Sequence, residues 1–463
     1  MSVWKHTVLA CALAAAFPGA ALAQSNEELL KELKALQARV SELEKKIQAA
    51  DAQGGAPQWG MTSDQLHELN RVAVQSDGTV DALEAQGLKG LKISGMMDPT
   101  YIWTQSGGGS FAFLNGFTGK GGDQSYPNDG YGYDNSYFGQ AMLDFQKETE
   151  DGTRWRLTLS PQKNASGGYN IGSIVHEASV SLPLTDNQTR LWVGQIPDWS
   201  GYEYVWSSLQ PLISHNLLFD FTLPSFYTGA AVDVTRGKWE TKLLLGNLNA
   251  SRYSHDPRFG DYSAPVFAYR VDYSKGEFDG FGFAGINGKS FGQRIDTFEL
   301  DGYFIRGDWT LQGQFGIGRL KNGAASGDAK WAGLSGLVGY NFTPRFKGTV
   351  RADYIKNDAN GGGIFGQAPS CDPSTGICIA DGRNGFGPQM MYDSESGTWI
   401  ANPNGKGLNR YALTAGISYL YGLNTTFKFE YRLDGANAPA FLFPDGSYKK
   451  TNQMLGTSVV VSF

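Results

Sequence analysis

From Leu91 to the end, the chain repeats one pattern: apolar and polar side chains alternate in short runs. Trp309, Leu311, Gly313, Phe315 and Ile317 alternate with Thr310, Gln312, Gln314 and Gly316. Phe427, Phe429, Tyr431 and Leu433 alternate with Lys428, Glu430 and Arg432. A period of two puts successive side chains on opposite faces of a sheet. One face is therefore apolar and aromatic, and the other is polar and often charged. A sandwich would bury the first face against a second sheet. A membrane barrel would turn it toward lipid.

Spacing separates these two readings. The pattern predicts sixteen strands, at 91–104, 136–147, 153–160, 174–183, 189–196, 227–235, 238–246, 265–275, 280–287, 295–306, 309–319, 330–341, 346–356, 407–420, 423–433 and 451–463. Connections after even-numbered strands are tight, as at Arg236–Gly237, Gly307–Asp308 and Tyr421–Gly422. The others are mostly long: 105–135, 161–173, 197–226, 247–264, 320–329, 357–406 and 434–450, with 288–294 the short exception. Short turns on one rim and long loops on the other suit an all-β, transmembrane antiparallel barrel. An even strand count leaves both chain ends on the short-turn side, expected to be periplasmic.

Composition agrees. Glycine supplies 61 of 463 residues, aromatics are 13% and charged residues only 18%. No apolar run of about 18 residues occurs, which excludes a helical polytopic membrane protein. The net charge is −6 with no Lys/Arg cluster, so a nucleic-acid partner is not expected.

Residues 1–23 read as a secretory signal peptide: Lys5 and His6 lead an apolar stretch, and Ala21 and Ala23 give the small-x-small cleavage pattern before Gln24. Residues 24–48 carry a heptad, with Leu29, Leu36 and Leu43 at one apolar position and Leu33, Val40 and Ile47 at the other. This predicts a short periplasmic coiled coil, or else one amphipathic helix packed on its own domain. Residues 49–90 read as a linker containing a short helix from Asp64 to Gln75. The barrel then occupies 91–463. Cys371 and Cys378 form a pair in an exported chain and suggest a disulfide; a two-cysteine metal site is the competing reading.

The last strand presents Leu455, Thr457, Val459, Val461 and Phe463 at alternate positions. A terminal Phe on such a strand is the usual ending of bacterial outer-membrane proteins. Phe463 is expected to be read by the barrel-insertion machinery.

At this point the chain resembles Gram-negative outer-membrane porins. The likeness is nearest to the phosphate-selective porin group and its relatives with an N-terminal coiled coil. It is carried by the leader and heptad from Ala21 onward, the strand Arg190–Pro197 running into a long loop, the segment Tyr227–Val234 leaving it, and Phe463. The resemblance implies a sixteen-strand barrel in outer-membrane lipid, a homotrimer, and passive diffusion of small hydrophilic solutes or ions. The loop 197–226 looks like the pore-narrowing loop of that group. Phosphate-selective porins line the constriction with basic residues. Here no Lys or Arg occurs between Arg190 and Arg236. Phosphate selectivity is therefore not carried over.

Sixteen strands leave a water-filled lumen. The loop offers Asp198, Trp199, Tyr202, Glu203, Tyr204, Trp206, Phe219, Asp220, Phe221 and Phe226 as constriction residues. The strands offer lumen-facing Arg154, Arg156, Arg190, Lys242, Arg270, Arg351, Lys428 and Arg432, with Asp144, Asp272, Glu299, Asp301, Asp353 and Glu430. Acids on the loop facing basic residues on the wall would create a transverse field that orders polar solutes. The same charges would alternatively pair with one another. The loop aromatics suggest either a sugar slide or plain packing. A surface adhesin or receptor acting through loop 357–406 is the rival to transport. Five histidines occur, at 6, 67, 176, 215 and 255, and Ser214-His215-Asn216 are merely adjacent in sequence. No enzyme, metal or cofactor is expected.

Overall fold

The computed structural model describes residues 90–105, 131–133, 141–160, 162–163, 169–170, 174–224, 226–248, 265–276, 279–290, 293–324, 327–357, 370–371, 378–379, 389–402, 407–443 and 445–463. The signal peptide, the coiled coil and the linker helix lie outside the described residues.

Sixteen strands close on themselves. They are β1 (Leu91–Met97 with Thr100–Thr104), β2 (Tyr131–Tyr133 with Ala141–Glu148), β3 (Arg154–Leu159), β4 (Val175–Asp186), β5 (Thr189–Pro197), β6 (Phe226–Arg236), β7 (Trp239–Leu248) and β8 (Val266–Ser274). Then follow β9 (Asp279–Ser290), β10 (Gln293–Arg306), β11 (Trp309–Ala324), β12 (Gly327–Thr343), β13 (Phe346–Asn357), β14 (Arg410–Tyr421), β15 (Thr425–Ala436) and β16 (Thr451–Ser462). Each pairs antiparallel with its sequence neighbours, and β16 pairs back onto β1, with Met96 opposite Ser462 and Trp103 opposite Leu455. Closure leaves no edge strand, which hydrocarbon would not tolerate.

β1 is broken at Asp98–Pro99, because proline has no N–H for the ladder. Its carbonyl still accepts from the Val459 N–H at 3.0 Å, and the Thr100 hydroxyl bonds the Asp98 carbonyl at 2.8 Å. The expected long connection 320–329 is a tight hairpin instead. Alternation continues through Arg319 and Lys330, so β11 and β12 run on to Ala324 and Gly327. Loop 357–406 carries its own hairpin, Met390–Asp393 against Thr398–Ala401.

The faces are sorted as the pattern requires. Leu311, Phe315 and Ile317 point outward and are exposed, as are Leu334, Phe427 and Phe429. From Trp309 to Ile317 the outward row covers about 27 Å of strand, or about 21 Å of height at a typical tilt. That is close to the apolar thickness a barrel of this type presents. The inward positions carry Asp144, Glu177, Arg351, Asp353, Glu430, Arg432 and Asp434, all buried.

The main hydrophobic cluster is inside the barrel. It joins Leu217, Leu218 and Phe221 of helix α1 (Leu217–Thr222) to inward residues of the wall, among them Ile196, Tyr227, Leu244, Val266, Ile286, Ile295, Trp331 and Ile355. Asn216 caps the helix, its Oδ1 accepting from the Phe219 N–H at 2.8 Å. Burying three large side chains contributes roughly 1.5–3 kcal/mol each. The loop between β5 and β6 thus folds into the lumen.

Candidate functional site

The loop leaves β5 at Pro197 and reaches the far wall. Its root is fixed by Asp198, which accepts from the Tyr227 hydroxyl at 2.6 Å and from the Ser200 N–H and hydroxyl at 3.0 Å. Tyr202 then meets Ser335 of β12 at 2.6 Å, and Ser335 in turn donates to Asp353 at 2.7 Å.

Beyond Tyr202, basic side chains of the wall seize the loop. Arg351 of β13 is fully buried. It donates to Glu203 at 2.9 Å, to the Ser214 carbonyl at 2.7 Å, to the His215 carbonyl at 2.7 Å and to Asp353 at 3.1 Å. Lys428 of β15 donates to the carbonyls of Ser207, Gln210 and Leu212 at 2.5, 2.6 and 3.2 Å. Arg432 donates to the His215 carbonyl at 2.8 Å and to Asp434 at 3.0 Å. Glu430 works in the opposite sense. It accepts from the N–H groups of Ile213 and Ser214 at 2.5 and 3.2 Å and from the Ser214 hydroxyl. The loop carbonyls and N–H groups, otherwise orphaned in a buried place, are satisfied by charged partners of matching sense.

Glycines on the wall make room for the apolar side chains of the loop. A β-carbon on Gly333 would lie 3.0 Å from Leu218, one on Gly416 2.6 Å from Leu212, and one on Gly456 3.2 Å from Ile213. These inward glycines act as sockets, and their alternation within strands was their only trace in the sequence.

The expected site residues divide into three groups. Arg351, Lys428, Arg432 and Glu430 face inward, but they are covered by the loop and anchor it rather than line open water. Arg154 and Arg190 sit away from the loop, toward the short-turn rim. Arg154 is exposed and paired with Glu148 at 3.1 Å, while Arg190 bonds Ser181 and the Gly152 carbonyl at 2.7 Å. Arg156 remains accessible, whereas Arg270 is largely covered. Arg156, 40% exposed, is held between Asp144 at 2.9 Å and Glu177 at 3.4 Å. Arg270 lies between Asp272 and Asp301, both at 2.7 Å.

The loop acids are not aligned against a row of opposed arginines. Glu203 is in direct ion pair with Arg351, and Asp198 is held by hydroxyls. Asp220 is buried in α1 within electrostatic reach of Arg410 and Arg432. The aromatics mostly pack: Trp199 lies on Tyr227 with ring centroids 5.3 Å apart, and Phe221 is enclosed beneath Arg410. Trp206 differs, meeting His176 of β4 edge-on at 4.7 Å. Ser214 and His215 do not act together, since Ser214 bonds Glu430 while His215 Nε2 contacts the Tyr204 carbonyl at 2.8 Å. Arg410, Asp434, Ser335 and the Asn216 cap were missed from the sequence. Their partners are backbone atoms or residues distant in the chain.

Burial pushes the Glu203 carboxyl up to about 7, against the Arg351 charge that lowers it, and pushes Asp198 up to about 6. A raised acid binds a proton in the docked loop before it would in a free one. Its charged-form cost is present above about 7 and is relieved as pH falls toward the ordinary carboxylate range. His215, pushed down to about 3 by burial, opposes this at pH below its ordinary value near 6.5. Transient loop-release events in single-channel recordings should thus become rarer as pH drops through about 7. Glu203→Gln should remove that step; a variant that keeps it would assign the titration elsewhere.

The profile of the family described as "Putative beta-barrel porin-2, OmpL-like" matches residues 91–463. Among solved structures, the chain is similar to the anion-selective porin from Comamonas acidovorans, with 10% identity over 81% of this chain and 99% of that one, at a TM-score of 0.49. It is also similar to Salmonella typhi OmpF in complex with daunomycin (12% identity, 81% and 97% covered, TM-score 0.49). A loop L8 deletion mutant of Vibrio cholerae OmpT is a further match (9% identity, 81% and 99% covered, TM-score 0.47). Such distant likenesses add nothing to the assignment. No curated protein matches the sequence. The family profile runs from the first residue of β1 to Phe463. The chain therefore belongs to the OmpL-like beta-barrel porin-2 family, as an outer-membrane barrel forming a channel for small hydrophilic solutes with loop 197–226 folded inside it.

Proposed function

We propose that solutes cross the barrel between the loop face bearing Tyr204, Trp206 and Ser208 and the wall of β2 to β4. The observation behind this is the contrast in cover: Arg156 is accessible on that wall, whereas Arg351, Lys428 and Arg432 opposite are sealed by the loop. In this cluster and in that of Arg270, one arginine stands between two carboxylates. Asp144 and Glu177 flank Arg156, and Asp272 and Asp301 flank Arg270. The passage is thus net acidic and favours cations. Reversal potentials in asymmetric potassium chloride test this. The expected sign is that of potassium preference, and Arg156→Gln should strengthen it. A chloride preference would overturn the reading.

The assembly is read as a homotrimer gathered by the coiled coil 24–48 after removal of residues 1–23, with both termini periplasmic and the long loops outside. Phe463 is read as the signal to the insertion machinery. The match to a family described as porins supports a purely passive role. Cys371 and Cys378 stand directly opposite each other in a short antiparallel ladder. Opposed residues there lie about 4.5–5.5 Å apart, within the range a disulfide spans. Thiol titration of the unfolded mature chain should find no free thiol until reductant is added. Two titratable thiols without reductant would exclude the bond.

A further inference from the structure

Behind the root of the loop, the wall carries a carboxylate that the anchoring contacts do not use. Glu299 of β10 stands between Ala284 of β9 and Gly316 of β11, two residues too small to cover it. A hollow of about 10 Å³ remains there, room for one particle the size of a water. The wall lines it with Glu299, Thr297 and Ala284, and the loop closes it with Ser200, Thr222 and Leu223. Glu299 is only 4% exposed, and its Oε1 has no hydrogen-bond partner. The Gln314 amide lies near, yet its Nε2 is also without one.

The other polar groups of the hollow are acceptors too. The Thr222 hydroxyl has given its proton to the Leu218 carbonyl at 2.7 Å, and the Ser200 hydroxyl has given its own to Asp198 at 3.0 Å. A hydroxyl has one proton, so both present only lone pairs to a further partner. The charge nearby has the same sense. Asp198 and Asp301 act on Glu299 as like charges. The Arg270 guanidinium is turned instead to Asp301, at 2.7 and 3.0 Å, and to Asp272, at 2.8 Å. A buried carboxylate without a partner is costly, and a cation seated against it offsets that cost.

We propose that the hollow binds a calcium ion, which ties the loop, through Ser200 and Thr222, to Glu299 of the wall. Calcium takes mixed sets of carboxylate and neutral oxygens in flexible geometry. Magnesium demands a near-ideal octahedron and keeps several waters, for which a hollow of this size has no room. A single water could donate to two of these acceptors and would leave the excess negative charge in place.

The test uses the full mature chain, stripped of metals with a chelator and held in an uncharged detergent. Calcium chloride and magnesium chloride are titrated separately while native mass and thermal unfolding are followed. Calcium should bind and raise the unfolding temperature, and magnesium should do neither to the same extent. Glu299→Gln should carry one calcium ion fewer than the parent and lose the calcium-dependent rise. Without calcium the same variant should unfold no lower than the parent, because a neutral amide relieves the repulsion from Asp198 and Asp301. That comparison separates loss of a ligand from loss of the fold. Thr222→Val, which keeps the shape without the oxygen, should bind calcium about tenfold more weakly, the scale of one lost contact to a charge. Glu240→Gln, at the short-turn rim, should bind as the parent does. A parent that binds no calcium, an equal ion count in Glu299→Gln, or a calcium-free Glu299→Gln that unfolds below the parent would each overturn the site. Equal binding of magnesium would overturn the choice of ion.

Discussion

Arg351→Ala should open the channel. The substitution strips Glu203 and Asp353 of their partner and leaves the Ser214 and His215 carbonyls without their donor, all in a buried place. Removing one member of a buried ion pair costs about 3–5 kcal/mol. The loop can recover much of that by leaving the wall, because its charged and backbone groups then meet water. The barrel loses little, since its strands are held by their own ladders. The expected result is a larger and noisier single-channel conductance with unchanged heat resistance of the barrel. Arg351→Lys should fall between parent and alanine variant, because one ammonium cannot replace a fork that reaches four partners. Parental conductance in Arg351→Ala would show that the remaining contacts hold the loop unaided.

Gly333→Leu attacks the same docking from its apolar side. The new side chain would enter the space of Leu218, which already lies 3.0 Å from where a β-carbon would sit. Overpacking of this kind costs about 1–3 kcal/mol. The loop is the softer party, so it should be displaced and conductance should rise. Leu218→Ala alone leaves a cavity costing about 2–5 kcal/mol. The two changes combined should partly cancel, because they share one volume. Additive effects would mean that Leu218 and Gly333 do not meet in the membrane-embedded protein.

Much of the fold was readable because a barrel writes its outer face into every strand. Trp309 to Ile317 and Phe427 to Leu433 declare which side meets lipid, and the strand count follows from turn spacing. The break at Asp98–Pro99 and the close pairing of Ala324 with Gly327 were harder. The first depends on one missing N–H, the second on how far alternation persists past Ile317. The site was half legible. Inward charges such as Arg351 and Glu430 were found by parity alone. Their task was not, because Lys428 and Arg432 bind loop carbonyls, and every residue has a carbonyl. Nor does sequence say that Gly333 faces Leu218, since that pairing exists only once the loop has crossed the lumen. The acids of the loop were read either as a field across open water or as partners of other charges, and Glu203 lies against Arg351.

The reach of those clasping bonds has a consequence for assembly. Ile213 is joined to Glu430 across 217 positions of chain, and Arg351 to Glu203 across 148. Loop closure over such separations is entropically slow, so these bonds form late. Until the C-terminal strands arrive, Glu203 lacks Arg351, and the segment from Ser207 to Ser214 lacks Lys428 and Glu430. The half-built sheet must therefore carry this segment undocked, in contact with water, while its two ends are still apart. The lumen is furnished only when the wall is nearly complete, which makes the settled loop a built-in record that the cylinder has been finished in the right order.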